Sequence, residues 1–337
     1  GLAMSTIAAC GMFSAICGSS LATAATMSKV SMPEMRRYKY DDSLATASIA
    51  AGGTLGILIP PSVMLVIYGF LTEQSVGRLF IAGVLPGLLG ILFYILAVVF
   101  IVSRKPALGP AGGRTEWGDR LLALRDVWTT LGLFTFVIGG IYAGMFTPTE
   151  AAGMGAAGAL AIAWRRGALK DGALFQVLRE TAVTTAKLFF ILFGALIFSN
   201  FVNRAGLPDG LIGIVNAFDL SPLGVILIIL LIYVVLGCVF ESLSMILLTV
   251  PIFTPLVASL GFDLIWFGIL VVVVTEISLI TPPIGLNVFV LKGMLKDVSV
   301  GTIFKGVTPF WIADILRLIL LVMVPSIALI LPSMMMN

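Results

Sequence analysis

Two short stretches hold the residues best suited to chemistry, and each places a Pro-Pro pair and glycines inside an apolar run. The first is GGTLGILIPP at 52–61, and the second is SLITPPIGLN at 278–287. An interrupted helix in a bilayer leaves backbone groups without partners, so it is tolerated only where it is buried in protein or lines a cavity. Two such interruptions at matching places in two halves of a chain indicate the binding site of a transporter.

Hydroxyl groups lie at these interruptions and at two polar turns, CGSS at 17–20 and ESLS at 241–244. Hydroxyl and free carbonyl oxygens suit Na⁺, whereas the N-terminus of a half-helix suits an anion. The alternative is that small residues here only let helices pack closely; it is favoured for any single serine, but not for the matched set. We expect Na⁺ ligands among Cys17, Gly18, Ser19, Thr54, Gly56, Glu241, Ser242, Ser278, Thr281 and Gly285, and substrate contacts from Ser20, Pro60, Pro61, Ser244, Pro282, Pro283 and Asn287.

Ionisable residues inside apolar segments are costly to bury and are functional candidates. Glu276 precedes the second interruption, and cation coordination, proton coupling and a structural hydrogen bond all stay open for it. Asp314 and Arg317 are three positions apart, which predicts a mutually neutralising pair facing the helix bundle. Asn287 either contacts substrate or caps the resumed helix.

The composition is that of a polytopic membrane protein: 59% of the 337 residues are hydrophobic and 11% are charged. The chain has no histidine, which excludes His-based triads and imidazole zinc sites. The net charge of +3 is small and spread over loops, so no nucleic-acid partner is indicated. Cys10, Cys17 and Cys238 lack CxxC spacing, which predicts small buried thiols and no disulfide.

These features predict an all-α polytopic membrane protein built from two inverted repeats of the ion-transporter, elevator type. Residues 223–258 are too long for one comfortable crossing and barely enough for two, so a re-entrant hairpin is expected there. The predicted first repeat is 1–103, with a hairpin at 1–28, a broken helix at 43–73 and a helix at 79–103. A cytoplasmic linker at 104–126 precedes the second repeat, 127–331, with helices at 128–146, 150–164 and 181–203, a hairpin at 223–258, a broken helix at 264–291 and a helix at 307–331.

An internal repeat supports this division. A shift of 222 positions lays Ser20-Leu21 on Ser242-Leu243 and the first Pro-Pro pair on the second, and a shift of 223 lays Pro86 on Pro309. If the chain crosses the membrane five times between the two copies, an odd number, the second copy has the opposite orientation in the membrane. Loops rich in Lys and Arg alternate with poor ones, which places the basic loops, including 29–42 and 165–180, in the cytoplasm.

Four segments also resemble a known family. They are GTLGILIPPSVMLVIYG at 53–69, SVGRLFIAGVLPGLL at 75–89, GCVFESLSMILLTVPIFTPLV at 237–257 and TEISLITPPIGLNVFV at 275–290. They are similar to the large permease subunit of tripartite ATP-independent periplasmic (TRAP) transporters.

The resemblance implies an elevator-type, Na⁺-coupled importer in a bacterial inner membrane, with Na⁺ as coupling ion and no other cofactor. It implies two partners, a small membrane subunit and a periplasmic solute-binding protein that delivers an organic acid. Two residues depart from the family pattern: Cys17 stands where a serine is usual, and Thr23 where an acidic residue is common. The family also has helices before the first hairpin, so we expect the natural chain to extend further.

Two rival functions remain open at this stage. The first is a standalone Na⁺- or H⁺-coupled di- or tricarboxylate carrier, which would share the hairpins but need no binding protein. The second is a channel or structural membrane component, which would need neither the hairpins nor a binding protein. For the transporter interpretation we expect Thr54 and Gly56 to face the turn at 17–20. Ser278 and Thr281 should likewise face the turn at 241–244.

Overall fold

The computed structural model describes residues 1–110, 117–170 and 172–334, and every regular element within these ranges is a helix. Four of the helices are long and apolar enough to cross a membrane: Val76–Arg104, Ala173–Arg204, Ser242–Ser259 and Val300–Met323. The prediction of a helical membrane protein is therefore confirmed. The chain divides into two compact units, one formed by Gly1–Gly112 with Val202–Asn337 and the other by Gly113–Phe201.

The first predicted hairpin consists of α1 (Leu2–Cys17) and α2 (Ser20–Arg37). Gly18 ends α1 with a φ of 67°, a conformation that glycine adopts without the usual steric cost. Ser19 begins α2, and its hydroxyl accepts a hydrogen bond from the Ala22 N–H at 3.3 Å. Helix α2 continues well past residue 28, where we expected a polar connection, because Met32 and Met35 lie on its buried face.

The first broken helix consists of α3 (Asp42–Thr54), a 3-10 turn at Leu55–Ile57 and α4 (Val63–Thr72). Helix α5 (Val76–Arg104) follows, and a short turn at Pro106–Leu108 begins the predicted linker. Residues 111–116 of that linker lie outside the described ranges.

The smaller unit contains α6 (Trp117–Tyr142), α7 (Pro148–Arg165) and most of α8 (Ala173–Arg204). Thr147 and Glu150 cap α7 reciprocally, as their sequence indicates: the Glu150 carboxylate accepts the Thr147 N–H at 2.8 Å. Helix α6 begins at Trp117 rather than at 128. Helix α8 is continuous where we expected an interfacial helix followed by a separate span. Helix α7 is not among the four helices long and apolar enough to cross, so the inversion, which counts it as a crossing, stays a prediction.

The second hairpin and broken helix follow α9 (Leu207–Ala217). The hairpin consists of α10 (Pro222–Gly237) and α11 (Ser242–Ser259), and the broken helix of α12 (Leu264–Ser278) and α13 (Leu286–Met294). The Pro-Pro peptide bonds at 60–61 and 282–283 are both cis.

The last predicted span is two helices, α14 (Val300–Met323) and α15 (Ser326–Met334). It begins earlier than predicted because Ser299 caps α14 by accepting the Thr302 N–H at 3.0 Å. Helix α14 ends before the predicted residue 331 because Pro325 cannot donate a helical hydrogen bond.

The first arms of the two broken helices form the interior of the larger unit. Every residue from Leu44 to Thr54 in α3 is buried, as is every residue from Ile265 to Ser278 in α12. A salt bridge at one end of this unit joins three segments: the Arg36 guanidinium contacts Asp42 at 2.9 Å and Asp297 at 2.6 Å. The hydrogen bond from Arg36 holds the pKa of Asp297 below its usual value.

Candidate functional site

The first helix break packs directly against the first hairpin. The Ser14 hydroxyl of α1 donates a hydrogen bond to the Gly53 carbonyl at 3.2 Å. A Cβ added to Gly53 would lie 3.2 Å from the Ser20 carbonyl oxygen, and one added to Gly56 would overlap Ser14. The glycines at the end of α3 therefore let the break approach the hairpin backbone.

The second break makes the matching contact with the second hairpin. A Cβ added to Gly237, the last residue of α10, would overlap the Ser278 side chain at the end of α12. The Cys238 thiol lies 3.7 Å from the Pro282 carbonyl oxygen. The predicted proximity is thus seen for the first turn, through Ser20; at the second hairpin the contacts are made by Gly237 and Cys238, so the approach of the break to residues 241–244 stays a prediction.

The two threonine hydroxyls at the breaks contact other helices instead of the turns. Thr54 Oγ1 donates to the Ala51 carbonyl of its own helix at 2.8 Å and lies 3.1 Å from the Tyr94 hydroxyl of α5. Thr281 Oγ1 donates to the Ile277 carbonyl at 2.7 Å and accepts the Trp311 indole N–H of α14 at 2.9 Å. Our expectation for the direction of these side chains was wrong, because each hydroxyl donates to a carbonyl of the preceding helical turn and also contacts a partner distant in sequence.

The polar residues of the turns begin the second arm of each hairpin. Ser19 caps α2, and one oxygen of the Glu241 carboxylate caps α11 by accepting the Leu243 N–H at 3.0 Å and the Ser244 N–H at 3.3 Å. The Thr23 hydroxyl donates to the Ser19 carbonyl at 2.8 Å, so this departure from the family pattern contributes to the turn.

The three cysteines differ in exposure, and all are free thiols. Cys10 is buried, Cys238 is half-buried and Cys17 is exposed. The prediction of buried thiols is therefore confirmed for Cys10 and wrong for Cys17, because α1 ends at the exposed turn.

Asn287 joins the two broken helices. Its side-chain amide donates to the Ala50 carbonyl of α3 at 3.0 Å, and its Oδ1 atom is buried without a hydrogen-bond partner among the described residues. Gly285, with a φ of 58°, occupies the cap position of α13. Asn287 is therefore not the cap, and its free oxygen is available to a ligand. Of the prolines nearby, Pro282 and Pro283 are exposed, Pro60 is buried and Pro61 is half-buried.

Five fully buried side chains form a continuous polar chain between the two breaks, which we name the central polar cluster. From Thr54 the chain runs to Tyr94, whose hydroxyl donates to the Asp314 carboxylate. Arg317 Nη2 lies 3.0 Å from Asp314 Oδ1 and donates to Glu276 Oε2 at 2.8 Å. The predicted Asp314–Arg317 pair is confirmed and buried, and Glu276 completes it as a triad.

Three contributors were missed by our sequence analysis: Ser14, Ser62 and Tyr94. The Ser62 hydroxyl donates to the Ile57 carbonyl and accepts the Leu65 N–H at 3.2 Å, which starts α4 after the break. Ser14 gave no signal because it is one small residue in an apolar helix. Tyr94 did have a sequence signal: the 223-residue shift that lays Pro86 on Pro309 also lays Tyr94 on Arg317.

The chain is similar to known proteins over almost its whole length. Residues 1–327 match the family described as the DctM component of the tripartite ATP-independent periplasmic transporter. The C4-dicarboxylate TRAP transporter large permease protein DctM of Pseudomonas aeruginosa is 36% identical, over 99% of this chain and 78% of that protein. Its namesake in Vibrio cholerae is 35% identical, over 100% and 78%. The ectoine/5-hydroxyectoine TRAP transporter large permease protein UehC of Ruegeria pomeroyi is 33% identical, over 98% and 76%.

Proposed function

The chain belongs to the DctM component family of TRAP transporters, and from that premise we propose that it is the large membrane subunit of a Na⁺-coupled secondary-active importer. Its cargo is an organic acid, delivered by a periplasmic solute-binding protein. A small membrane subunit completes the transporter in a bacterial inner membrane. Relatives named for C4-dicarboxylates and for ectoine support a carboxylic acid as the shared substrate chemistry.

The observation that carries this proposal is the duplicated contact between a hairpin turn and a helix break. The first contact brings the Ser14 hydroxyl and the N-terminus of α2 to the break, and the second brings the C-terminus of α10 and the Cys238 thiol to Ser278 and the Pro282 carbonyl. Interrupted helices in carriers use such oxygens for cations and such N-termini for anions. We assign one Na⁺ to each contact, the first to the backbone and hydroxyls of 17–19 and 54–56, and the second to those of 241–242, 278–281 and 285.

The substrate carboxylate is assigned to the N-terminal ends of the helices that follow the turns and breaks. The residues there are Ser20, Pro60, Pro61, Ser244, Pro282 and Pro283, with Asn287 alongside. The unpartnered Asn287 Oδ1 is an acceptor, so it suits a substrate hydroxyl or a cation rather than a carboxylate.

Uptake into proteoliposomes tests the proposal. The purified large subunit, reconstituted with its small subunit, should accumulate a radiolabelled C4-dicarboxylate only when an inward Na⁺ gradient and the binding protein are both supplied. Dissipating the Na⁺ gradient at constant membrane potential is the control.

Each competing function has its own signature in this assay. Concentrative uptake by the large subunit alone would establish a standalone carrier. Flux that does not saturate with substrate and ignores the cation gradient would establish a channel. Uptake driven by a pH gradient without Na⁺ would overturn the assignment of the coupling ion.

A further inference from the structure

The central polar cluster is a costly feature, and of its five members only Thr54 has a role in the function proposed above. All five side chains, Thr54, Tyr94, Glu276, Asp314 and Arg317, have an exposed fraction of 0%. Two carboxylates share one guanidinium. The Nε and Nη1 atoms of Arg317 and the Oε1 atom of Glu276 have no hydrogen-bond partner within the described residues. Apolar side chains of similar volume are often as stabilising as such a network, so stability alone does not explain it.

The ends of the cluster coincide with the two helix breaks. Thr54 is the last residue of α3, and Glu276 lies two residues before the end of α12. The Leu58 N–H, within the first break, also faces the Glu276 carboxylate. The cluster therefore touches both places where we assign an ion.

The internal repeat gives the cluster a second regularity. The shift of 222 positions that pairs the Pro-Pro breaks lays Thr54 on Glu276, and the shift of 223 lays Tyr94 on Arg317. The Thr54–Tyr94 contact and the Glu276–Arg317 ion pair are thus equivalent contacts in the two repeats. Asp314 joins them, and the matching position in the first repeat is Ile91, so this link is made once.

The hydrogen bonds of the cluster have a direction. A hydroxyl has one proton: Tyr94 donates its proton to Asp314, and Thr54 Oγ1 donates to the Ala51 carbonyl at 2.8 Å while lying 3.1 Å from the Tyr94 hydroxyl. Turning the Thr54 hydroxyl toward an ion would break its contact with Tyr94, the residue that donates to Asp314. A rearrangement at the first break is in this way transmitted to Asp314 and then, through Arg317, to Glu276.

We propose that the central polar cluster positions the two breaks relative to each other, so that Na⁺ binding at one hairpin contact favours binding at the other. Tyr94, Glu276, Asp314 and Arg317 act through the breaks, as positioning residues. The proposal rests on the Na⁺-coupled function proposed above. Space for the link is provided by Gly90 of α5, where a Cβ would overlap Arg317 Nη1.

Two variants separate coupling from folding. Tyr94→Phe removes one hydroxyl and opens the link between the repeats. Glu276→Gln keeps the shape of the side chain and leaves Asp314 and Arg317 as a balanced pair, so it should fold at least as well as the unmodified protein. The matched control is Tyr233→Phe, because Tyr233 is equally buried and its hydroxyl accepts from Thr249 at 2.6 Å inside the second hairpin.

The measurement is the Na⁺ dependence of uptake by the reconstituted complex, with melting temperature recorded for each variant. The unmodified protein should show a Hill coefficient for Na⁺ above one. Tyr94→Phe and Glu276→Gln should bring it toward one and raise the half-saturating Na⁺ concentration severalfold, within the range of about 5- to 150-fold typical of coupled sites. The substrate KM at saturating Na⁺ should stay unchanged, and Tyr233→Phe should keep the Hill coefficient.

The outcomes are distinguishable from those that test the function. Uptake that is independent of Na⁺ in the unmodified complex overturns the proposed function itself. Na⁺-driven uptake whose Hill coefficient is one in the unmodified protein, or unchanged in both folded variants, overturns the positioning role and leaves the function standing. A fall of the Hill coefficient in Tyr233→Phe as well would show a general packing effect and also reject the proposal.

Discussion

The two hairpin–break contacts share a backbone design but differ in charge. Where the first repeat has the neutral residues Ser19 and Thr54, the second has Glu241 and Glu276 at the equivalent positions. Tyr94 likewise corresponds to Arg317. The first contact therefore relies on hydroxyls and backbone dipoles, and the second has full charges available. The geometry of an internal repeat is set by its turns and glycines, while its electrostatics are free to diverge.

The close approach itself is also built in two ways. In the first contact the break supplies the glycine, Gly56, and the hairpin supplies Ser14. In the second contact the hairpin supplies the glycine, Gly237, and the break supplies Ser278. Each contact needs one residue without a side chain, and either partner can provide it.

The largest expected difference concerns the equivalent positions Arg317 and Tyr94. Arg317→Met leaves two buried carboxylates without a cation and should lower the free energy of unfolding by about 3–5 kcal/mol. Tyr94→Phe loses one neutral hydrogen-bonding group and should cost about 1 kcal/mol. Thermal unfolding in detergent measures both, with the exposed Arg37→Gln as control. Equal effects at the two positions would contradict the charge asymmetry.

A smaller effect is expected at the glycine contacts. Gly56→Ala overlaps Ser14 and should destabilise the protein by about 1–3 kcal/mol. Adding Ser14→Gly should recover part of the loss, and Gly237→Ala should respond in the same way to Ser278→Gly. The control is Gly77→Ala, where the nearest atom is 3.8 Å from the added Cβ. Melting temperatures of the single and double variants test this exchange, and additive losses would disprove the contact.

The Na⁺ dependence of uptake should reveal the charge difference at the turns. Ser19→Ala and Ser242→Ala should each raise the half-saturating Na⁺ concentration about fivefold, as expected for one neutral ligand. Glu241→Gln should raise it by about 10-fold or more because a charge is lost. Ser75→Ala is the matched control, since Ser75 caps α5 as Ser19 caps α2. An unchanged Na⁺ dependence in both serine variants would remove them from the ligand set.

The breaks and turns could be predicted from sequence because their signals are local. Proline cannot continue a helix, and glycine and serine stop and start helices wherever they occur. The extent of α2 could not be predicted, since its last turns are polar in composition and are helical because Met32 and Met35 are buried by other helices.

The direction of the site side chains was likewise decided by distant partners. Thr54 contacts Tyr94, forty positions away, and nothing near either residue indicates the contact. Asp314 and Arg317 could be paired because they are three residues apart on one helix. The contact of Glu276 with that pair could not be predicted from sequence, because it depends on how α12 packs against α14. The 222-residue shift does show that Glu276 and Thr54 occupy equivalent positions in the two repeats.

The smallest expected effect is a difference in the labelling rates of the thiols at the two turns, and the same labelling also tests the inversion of the repeats. Cys17 is exposed, Cys238 is half-buried beside Pro282, and Cys10 is buried. In variants that retain one cysteine, a maleimide should therefore label Cys17 fastest, Cys238 more slowly and Cys10 least. If the repeats are inverted, a membrane-impermeant maleimide should reach Cys17 from one side of oriented vesicles and Cys238 from the other. Labelling of both from the same side would show that the two hairpins enter the membrane from the same side, which would disprove the inversion of the repeats.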